Sequence, residues 1–223
     1  MNNQKPDVWI GVDVGTTGTR AIAYDINGIN ICSSEAFYPL LTPHPDWAEE
    51  NPLQIFESIE KVIGETAAQL RYKNQTLAGI ALSTVMHSFV GLDGHHEPLM
   101  DIQTWADSRS AGIVRRMKAD KELCQNFYQR TGCPVHACYP LAKILWLQKN
   151  LPELFQRMQY VGSLKDYIFL GMTGEWVIDH STASTSGIYN EKNMDWDEEI
   201  LAYAGLRREQ MPLVVSTTYQ AVL

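Results

Sequence analysis

Between Val8 and Leu82 the apolar residues change their spacing twice, and that change limits the fold more than any other feature of the chain. Residues 8–14 (VWIGVDV) form a short apolar run, residues 15–18 supply a turn, and residues 19–25 (TRAIAYD) form a second run closed by the turn signal Asn27-Gly28. Residues 29–38 follow as a third strand, so the spacing predicts an antiparallel meander. Asn51-Pro52 then places an N-cap and a proline ahead of Ile55, Phe56, Ile59, Val62, Ile63, Ala67 and Leu70, which recur at helical spacings of three and four. Residues 77–82 (LAGIAL) are apolar throughout, as a strand buried on both faces would be, and a helical crossover makes that strand parallel to an earlier one. Three meander strands, a crossover helix and a parallel strand predict an α/β domain with a mixed sheet flanked by helices.

A further strand is expected over 88–93, ending at Asp93-Gly94, and the remainder is mostly helical, over 110–118, 121–130, 141–149, 164–171 and 196–204. No repeat, low-complexity tract or Gly/Ser linker interrupts the 223 residues, so they read as one compact unit. A net charge of −8 repels phosphate backbones and anionic lipid, which argues against nucleic acid and membrane surfaces as partners. No run approaches the roughly 18 apolar residues of a spanning helix, and MNNQKPD lacks the basic and apolar regions of a leader; a cytoplasmic location is expected. Cys32, Cys124, Cys133 and Cys138 form no dense framework and are expected as reduced thiols. A zinc set drawn from Cys124, Cys133, His136 and Cys138 fits no familiar spacing.

The tract GVDVGTTGTR, residues 11–20, carries the most chemistry. It has neither Walker spacing nor G-x-G-x-x-G. It has an aspartate at a strand end followed by a turn of glycines and threonines, which can aim successive N–H groups and two hydroxyls at phosphate oxygens, with Arg20 as a charge partner. Asp13 would repel that phosphate unless a divalent cation lay between them, and Mg²⁺ suits one carboxylate completed by water and phosphate. Taken alone, D-x-G-T-T reads first as a hairpin whose glycines serve positive φ and whose Asp13 caps a turn.

Other tracts accompany it in order: GIALSTVMHS, TWADSRS, PLAKILWLQKN and KDYIFLGMTGE. Together with DVGTTGTR they resemble the FGGY family of carbohydrate kinases, from about Val8 to the end of the chain, and STVMHS, TWADSRS, TGCPVH, VIDHSTA and DWDEE are most similar to the gluconate kinases within it. The resemblance implies an actin-like, ribonuclease-H-like ATPase fold, ATP and Mg²⁺ as cofactors, and a sugar acid, D-gluconate, as substrate. It implies that residues 1–223 are the N-terminal domain and that a C-terminal nucleotide domain is this chain's partner; a homodimer is left open. Gly15, Thr16, Thr17 and Arg20 fall on the phosphate side of the ATP site and Asp13 on the metal; Met86, His87, Trp105 and Asp107 fall on the sugar. The family's general base is an aspartate at the start of the missing domain, so no catalytic residue is assigned here and the chain alone is expected to be inactive.

A polyol needs paired donors and acceptors with an apolar wall, and gluconate adds a carboxylate that wants a cationic or N–H-rich partner; His87 and Arg109 are the available choices. Arg109 within SRS also reads as a solvated charge, and Lys165-Asp166 as a structural salt bridge. Met172, Trp176, Trp146 and Leu147 read as core, His95-His96 as a polar hairpin tip, and DWDEE as acids in a first helical turn. Two other functions remain: an FGGY kinase for xylulose or glycerol, and a non-catalytic actin-like nucleotide-binding module.

Overall fold

The computed structural model describes residues 7–223. In chain order the first elements are β1 (Asp7–Val14), β2 (Gly18–Tyr24), β3 (Asn30–Phe37), β4 (Glu49–Glu50), α1 (Pro52–Tyr72), β5 (Thr76–Thr84), β6 (Val90–Leu92) and β7 (Ile102–Gln103). Next come α2 (Ala111–Ala119), α3 (Lys121–Thr131), α4 (Pro140–Asn150), α5 (Pro152–Arg157), β8 (Tyr160–Gly162) and α6 (Leu164–Thr173). The chain finishes with β9 (Val177–Asp179), α7 (His180–Ala183), β10 (Tyr189–Asn190), β11 (Asp195–Trp196), α8 (Glu198–Tyr203) and β12 (Leu213–Val215).

These elements form two compact units rather than the single one read from the sequence: Asn51–Val85 joins the chain up to Leu40, and Leu41–Glu50 joins Met86–Leu223. The chain passes between the units three times, at Leu40/Leu41, Glu50/Asn51 and Val85/Met86, and sequence hides the division because no glycine or serine tract marks any of these crossings.

In the first unit a four-stranded sheet has the order β3-β2-β1-β5, antiparallel across β1–β2 and β2–β3 and parallel across β1–β5. The predicted meander and crossover are both present. Alternation along β1 sends Val8, Ile10, Val12 and Val14 inward, where with Ala21 and Ala23 they are sealed beside Ile55, Ile59, Val62 and Leu70 of α1. Asn51 caps α1 through its side chain, accepting from the Gln54 N–H at 2.9 Å, and Pro52 needs no partner there. On the other face of β1, Trp9 and Asp13 are exposed.

The second unit is built around Phe89, Leu141, Ile144, Leu147, Met158, Val161, Ile178, Ile188 and Trp196. Short ribbons β4–β7, β6–β8 and β10–β11 and the parallel pair β9–β12 hold the helices to that core. Ser163 and Asp166 form a capping box at the start of α6, and the Ser88 hydroxyl accepts from the Leu164 N–H at 2.9 Å. The 196–204 helix begins later than its acidic run suggests: Asp197 caps it, only Glu198 and Glu199 occupy its first turn, and Asp195–Trp196 is strand β11. Lys165 pairs with Asp179 at 2.6 Å, not with Asp166, whose carboxyl is turned back to the Ser163 N–H. No helix is long and apolar enough to cross a membrane, and no cluster of three metal-ligating side chains occurs among the described residues.

Candidate functional site

The phosphate-side residues lie where β1 and the parallel β5 both end. Register places Glu35, Arg20, Asp13 and Ser83 in one row across β3, β2, β1 and β5, all on the exposed face. Carboxyl ends of parallel strands are where open α/β sheets hold ligands, and here that end is polar. Asp13's carboxylate enters no hydrogen bond or ion pair among the described residues, while its carbonyl accepts from the Thr19 hydroxyl at 3.1 Å. Arg20 is engaged by Glu35 at 2.7 Å, a half-exposed pair of the kind that contributes little and exchanges readily.

The turn itself departs from the expected nest at Gly15. Its N–H donates to the Gly18 carbonyl at 2.9 Å and its own carbonyl accepts from the Tyr38 hydroxyl at 2.7 Å, so Gly15 closes the turn, and any N–H donors come from the threonines beyond it. Nor do these glycines serve positive φ. Gly18 is required by close approach, since a Cβ there would meet the Ala36 carbonyl oxygen at 2.8 Å. Thr16 is half-buried and Thr17 exposed at the tip.

The sugar-side residues belong to the second unit. His87 has φ +64°, outside the usual range for a residue with a side chain. Its Nδ1 lies 3.2 Å from the Thr185 carbonyl, which can only accept, so Nδ1 carries the proton and Nε2 of the neutral ring is an acceptor. Burial, with Lys143 and His136 adding to it, holds His87 below its ordinary value despite the Thr185 bond, and the ring is neutral at pH 7. Met86 before it is 38% exposed. Trp105, 50% exposed, stands on a turn pinned by the Thr104 N–H and hydroxyl, each donating to the Ala48 carbonyl at 3.0 Å, and by the Asp107 N–H on the Thr104 carbonyl.

Asp107 and Arg109 face inward. The Arg109 guanidinium, whose side chain is 3% exposed, donates to Asp107 through Nε at 2.9 Å and Nη2 at 2.6 Å, and to Glu49 through Nη2 at 2.6 Å. The Ala48 N–H also donates to Asp107 at 2.9 Å. Arg109 lies 3.5 Å over the Trp47 ring and 5.3 Å from that of Trp146, and the two indoles meet edge to face. Arg109 is therefore no solvated charge, Asp107's carboxylate is spent on the arginine, and Trp146 walls the pair as much as it fills the core. With two carboxylates already on it, Arg109 has no charge left for a ligand anion.

Several residues here escape a sequence reading. Trp47 and Glu49 meet a partner sixty residues away, which nothing local announces. Lys143 does leave a signal, as one charge among Leu141, Ala142, Ile144 and Leu145 on the inner side of α4. Glu50 is fully buried, both carboxyl oxygens lack hydrogen-bond partners among the described residues, and burial pushes it up to about 8.

Comparison with known proteins assigns the family. Residues 8–222 match the model of the N-terminal domain of the FGGY carbohydrate kinases. The chain belongs to the FGGY family. Gluconokinase of Bacillus subtilis is 35% identical over 209 residues, covering 94% of this chain and 40% of its own length. The crystal structure of gluconate kinase from Lactobacillus acidophilus superposes with a TM-score of 0.90 at 35% identity, covering 95% of this chain and 42% of that one. Ligand-bound xylulose kinase from the same organism reaches 0.93 at 34% identity, over 97% and 44%. The fold is thus that of the actin-like FGGY kinases, and the chain spans about two fifths of the length of these relatives.

Proposed function

We propose that this chain is the sugar- and phosphate-side portion of an ATP-dependent kinase that converts D-gluconate to 6-phospho-D-gluconate. What supports gluconate is the match to a gluconokinase over 94% of the chain. A xylulose kinase is the second reading, favoured by the superposition on that enzyme.

On the phosphate side, Asp13 is the residue to hold Mg²⁺. It is a carboxylate at the end of β1 that enters no hydrogen bond or ion pair and belongs to no cluster of three metal-ligating side chains among the described residues, which suits an ion that keeps most of its water. Bound there, the cation would screen the charge of the transferring phosphoryl group. Thr16 and Thr17 supply donors at the turn tip, and Arg20, released from Glu35, supplies a cation. On the sugar side, Trp105 and Met86 give the apolar wall, and Nε2 of neutral His87 accepts from a hydroxyl. Asp107 acts through Arg109, fixing the turn that carries Trp105. Phosphoryl transfer is mostly positioning and electrostatics, and the base that takes the hydroxyl proton is placed in the portion that the relatives have beyond this match.

The test is ADP release with ATP, Mg²⁺ and gluconate. The chain extended through its second domain should turn over at roughly 1 to 100 per second, and the 223-residue chain alone should not. Turnover by the short chain at that rate would place a base within it. In the extended protein, Asp13→Asn should lower turnover by roughly two orders of magnitude or more with gluconate affinity kept; lost sugar binding with preserved turnover would remove Asp13 from the phosphate side. Trp105→Ala and His87→Ala should each weaken gluconate binding roughly tenfold with the fold intact by circular dichroism, and unchanged affinity in both would take them out of the pocket.

A further inference from the structure

We propose that Lys143 is a positioning residue for the sugar turn: its ammonium, sealed on α4, clamps the carbonyls of His87 and Cys138 and so fixes the left-handed backbone that aims the His87 ring. The inference rests on reading Met86-His87 as sugar contacts.

Lys143 is wholly buried, and Nζ donates to the His87 carbonyl and to the Cys138 carbonyl at 2.6 Å each. It has no ion pair among the described residues. An interior ammonium with carbonyl dipoles in place of a counter-ion is expensive, and two short charge-assisted bonds are what keep it there. A histidine at φ +64° is held against its own preference, so something outside it must fix it. The ring is tied separately, by Thr185 and by edge contact with Tyr139 at 5.1 Å between centroids, but the peptide leaving His87 is tied by Lys143. Because Lys143 sits one turn before Trp146 on α4, the same helix face that walls Arg109 also fixes His87. A cavity of about 20 Å³, room for one water, has His87, Ser88, Thr182 and Thr185 in its lining.

The charged and titratable groups facing Lys143 are Asp107, Arg109 and Cys138, with His87 itself and His136 nearby. Burial draws Lys143 down to about 7, whereas it draws His87 below its ordinary value and pushes Cys138 above its own. Of Lys143, His87 and Cys138, the lysine is therefore the one that changes charge between pH 6.5 and 8.5, and loss of its proton weakens both bonds; Asp166 at about 7 and Glu50 at about 8 change charge in the same window, and Lys143→Met separates them from the clamp.

The experiment is calorimetric titration of the 223-residue chain with gluconate at pH 6.5 and 8.5, for the parent, Lys143→Met, Lys143→Arg and, as reference for the site, Trp105→Ala. The parent should bind more weakly at pH 8.5. Lys143→Met should bind about tenfold more weakly at pH 6.5, with its dependence on pH gone, and Lys143→Arg should recover part of the loss. A folded Lys143→Met that binds as the parent does, with the same pH profile, overturns the clamp; if Trp105→Ala is weakened in the same series, the sugar site itself stands. Should Lys143→Met not fold, parent affinity that is flat across the two pH values overturns the proposal equally. A parent chain that binds no gluconate at either pH overturns both the clamp and the site.

Discussion

Replacing Glu50 by glutamine is expected to raise the melting temperature at pH 9 and to leave it nearly unchanged at pH 4. Glu50 is fully buried with neither carboxyl oxygen partnered among the described residues, and burial alone lifts it from 4.5 to about 8. The folded chain therefore holds a proton on Glu50 that the unfolded chain has released once the pH passes 4.5. Between 4.5 and about 8 folded stability falls as the pH rises, and above 8 the whole cost of a buried, unpaired carboxylate is present. Glutamine has the shape of the protonated acid and cannot ionise, so it removes that cost. The gain should approach about 5 kcal/mol at pH 9, or roughly 10–20 °C in a chain of this size. Asp166 and Lys143, both brought to about 7, shape the parent's own profile but cancel in the difference. Melting curves of parent and variant from pH 4 to 9 are the check, and parallel curves with no widening gap would mean that Glu50 is solvated or paired.

Arg109→Ala should do the reverse. It strips the cation from Asp107 and Glu49, both nearly enclosed, and leaves Trp47 and Trp146 without the guanidinium packed between them. Breaking a buried pair from one side costs roughly 3–5 kcal/mol, because the remaining charge is stranded. Burial already pushes Glu49 up even with Arg109 opposing it, so in the variant Glu49 should take up a proton more readily. The loss should consequently be larger at pH 8 than at pH 5. Arg109→Lys should recover little, since one ammonium cannot reproduce the bidentate contact with Asp107 or the flat stack on Trp47. Melting curves at the two pH values, read by tryptophan fluorescence, decide it: a change below about 1 kcal/mol, the usual size for an exposed pair, would contradict the enclosed cluster.

The first unit was legible because its rules are local. Alternation in β1 and β2, Asn27-Gly28 and the Asn51-Pro52 cap each act within a few residues, and the register that brings Asp13, Arg20 and Ser83 into line follows from a short turn and one crossover. The second unit depends on partners far apart in sequence. Arg109 looked like a surface charge because Trp47, Glu49 and Trp146, which enclose it, lie about sixty residues before it and almost forty after. Asp107 looked free to meet a sugar for the same reason. Gly15 was misjudged differently: its turn uses a hydrogen bond to Gly18 where the motif suggested an outward N–H. Lys143 could have been found, since a single charge in an otherwise apolar inner face breaks the helical pattern.

The central claim is that the surface carrying Met86, His87 and Trp105 binds a sugar acid. Calorimetric titration of the 223-residue chain with gluconate, xylulose and glycerol, each with and without Trp105→Ala, tests it without the second domain or nucleotide. Gluconate should bind, xylulose and glycerol should bind at least about tenfold more weakly, and Trp105→Ala should weaken gluconate by a similar factor. Binding of xylulose or glycerol in preference to gluconate, or gluconate binding that ignores Trp105→Ala, would contradict the account.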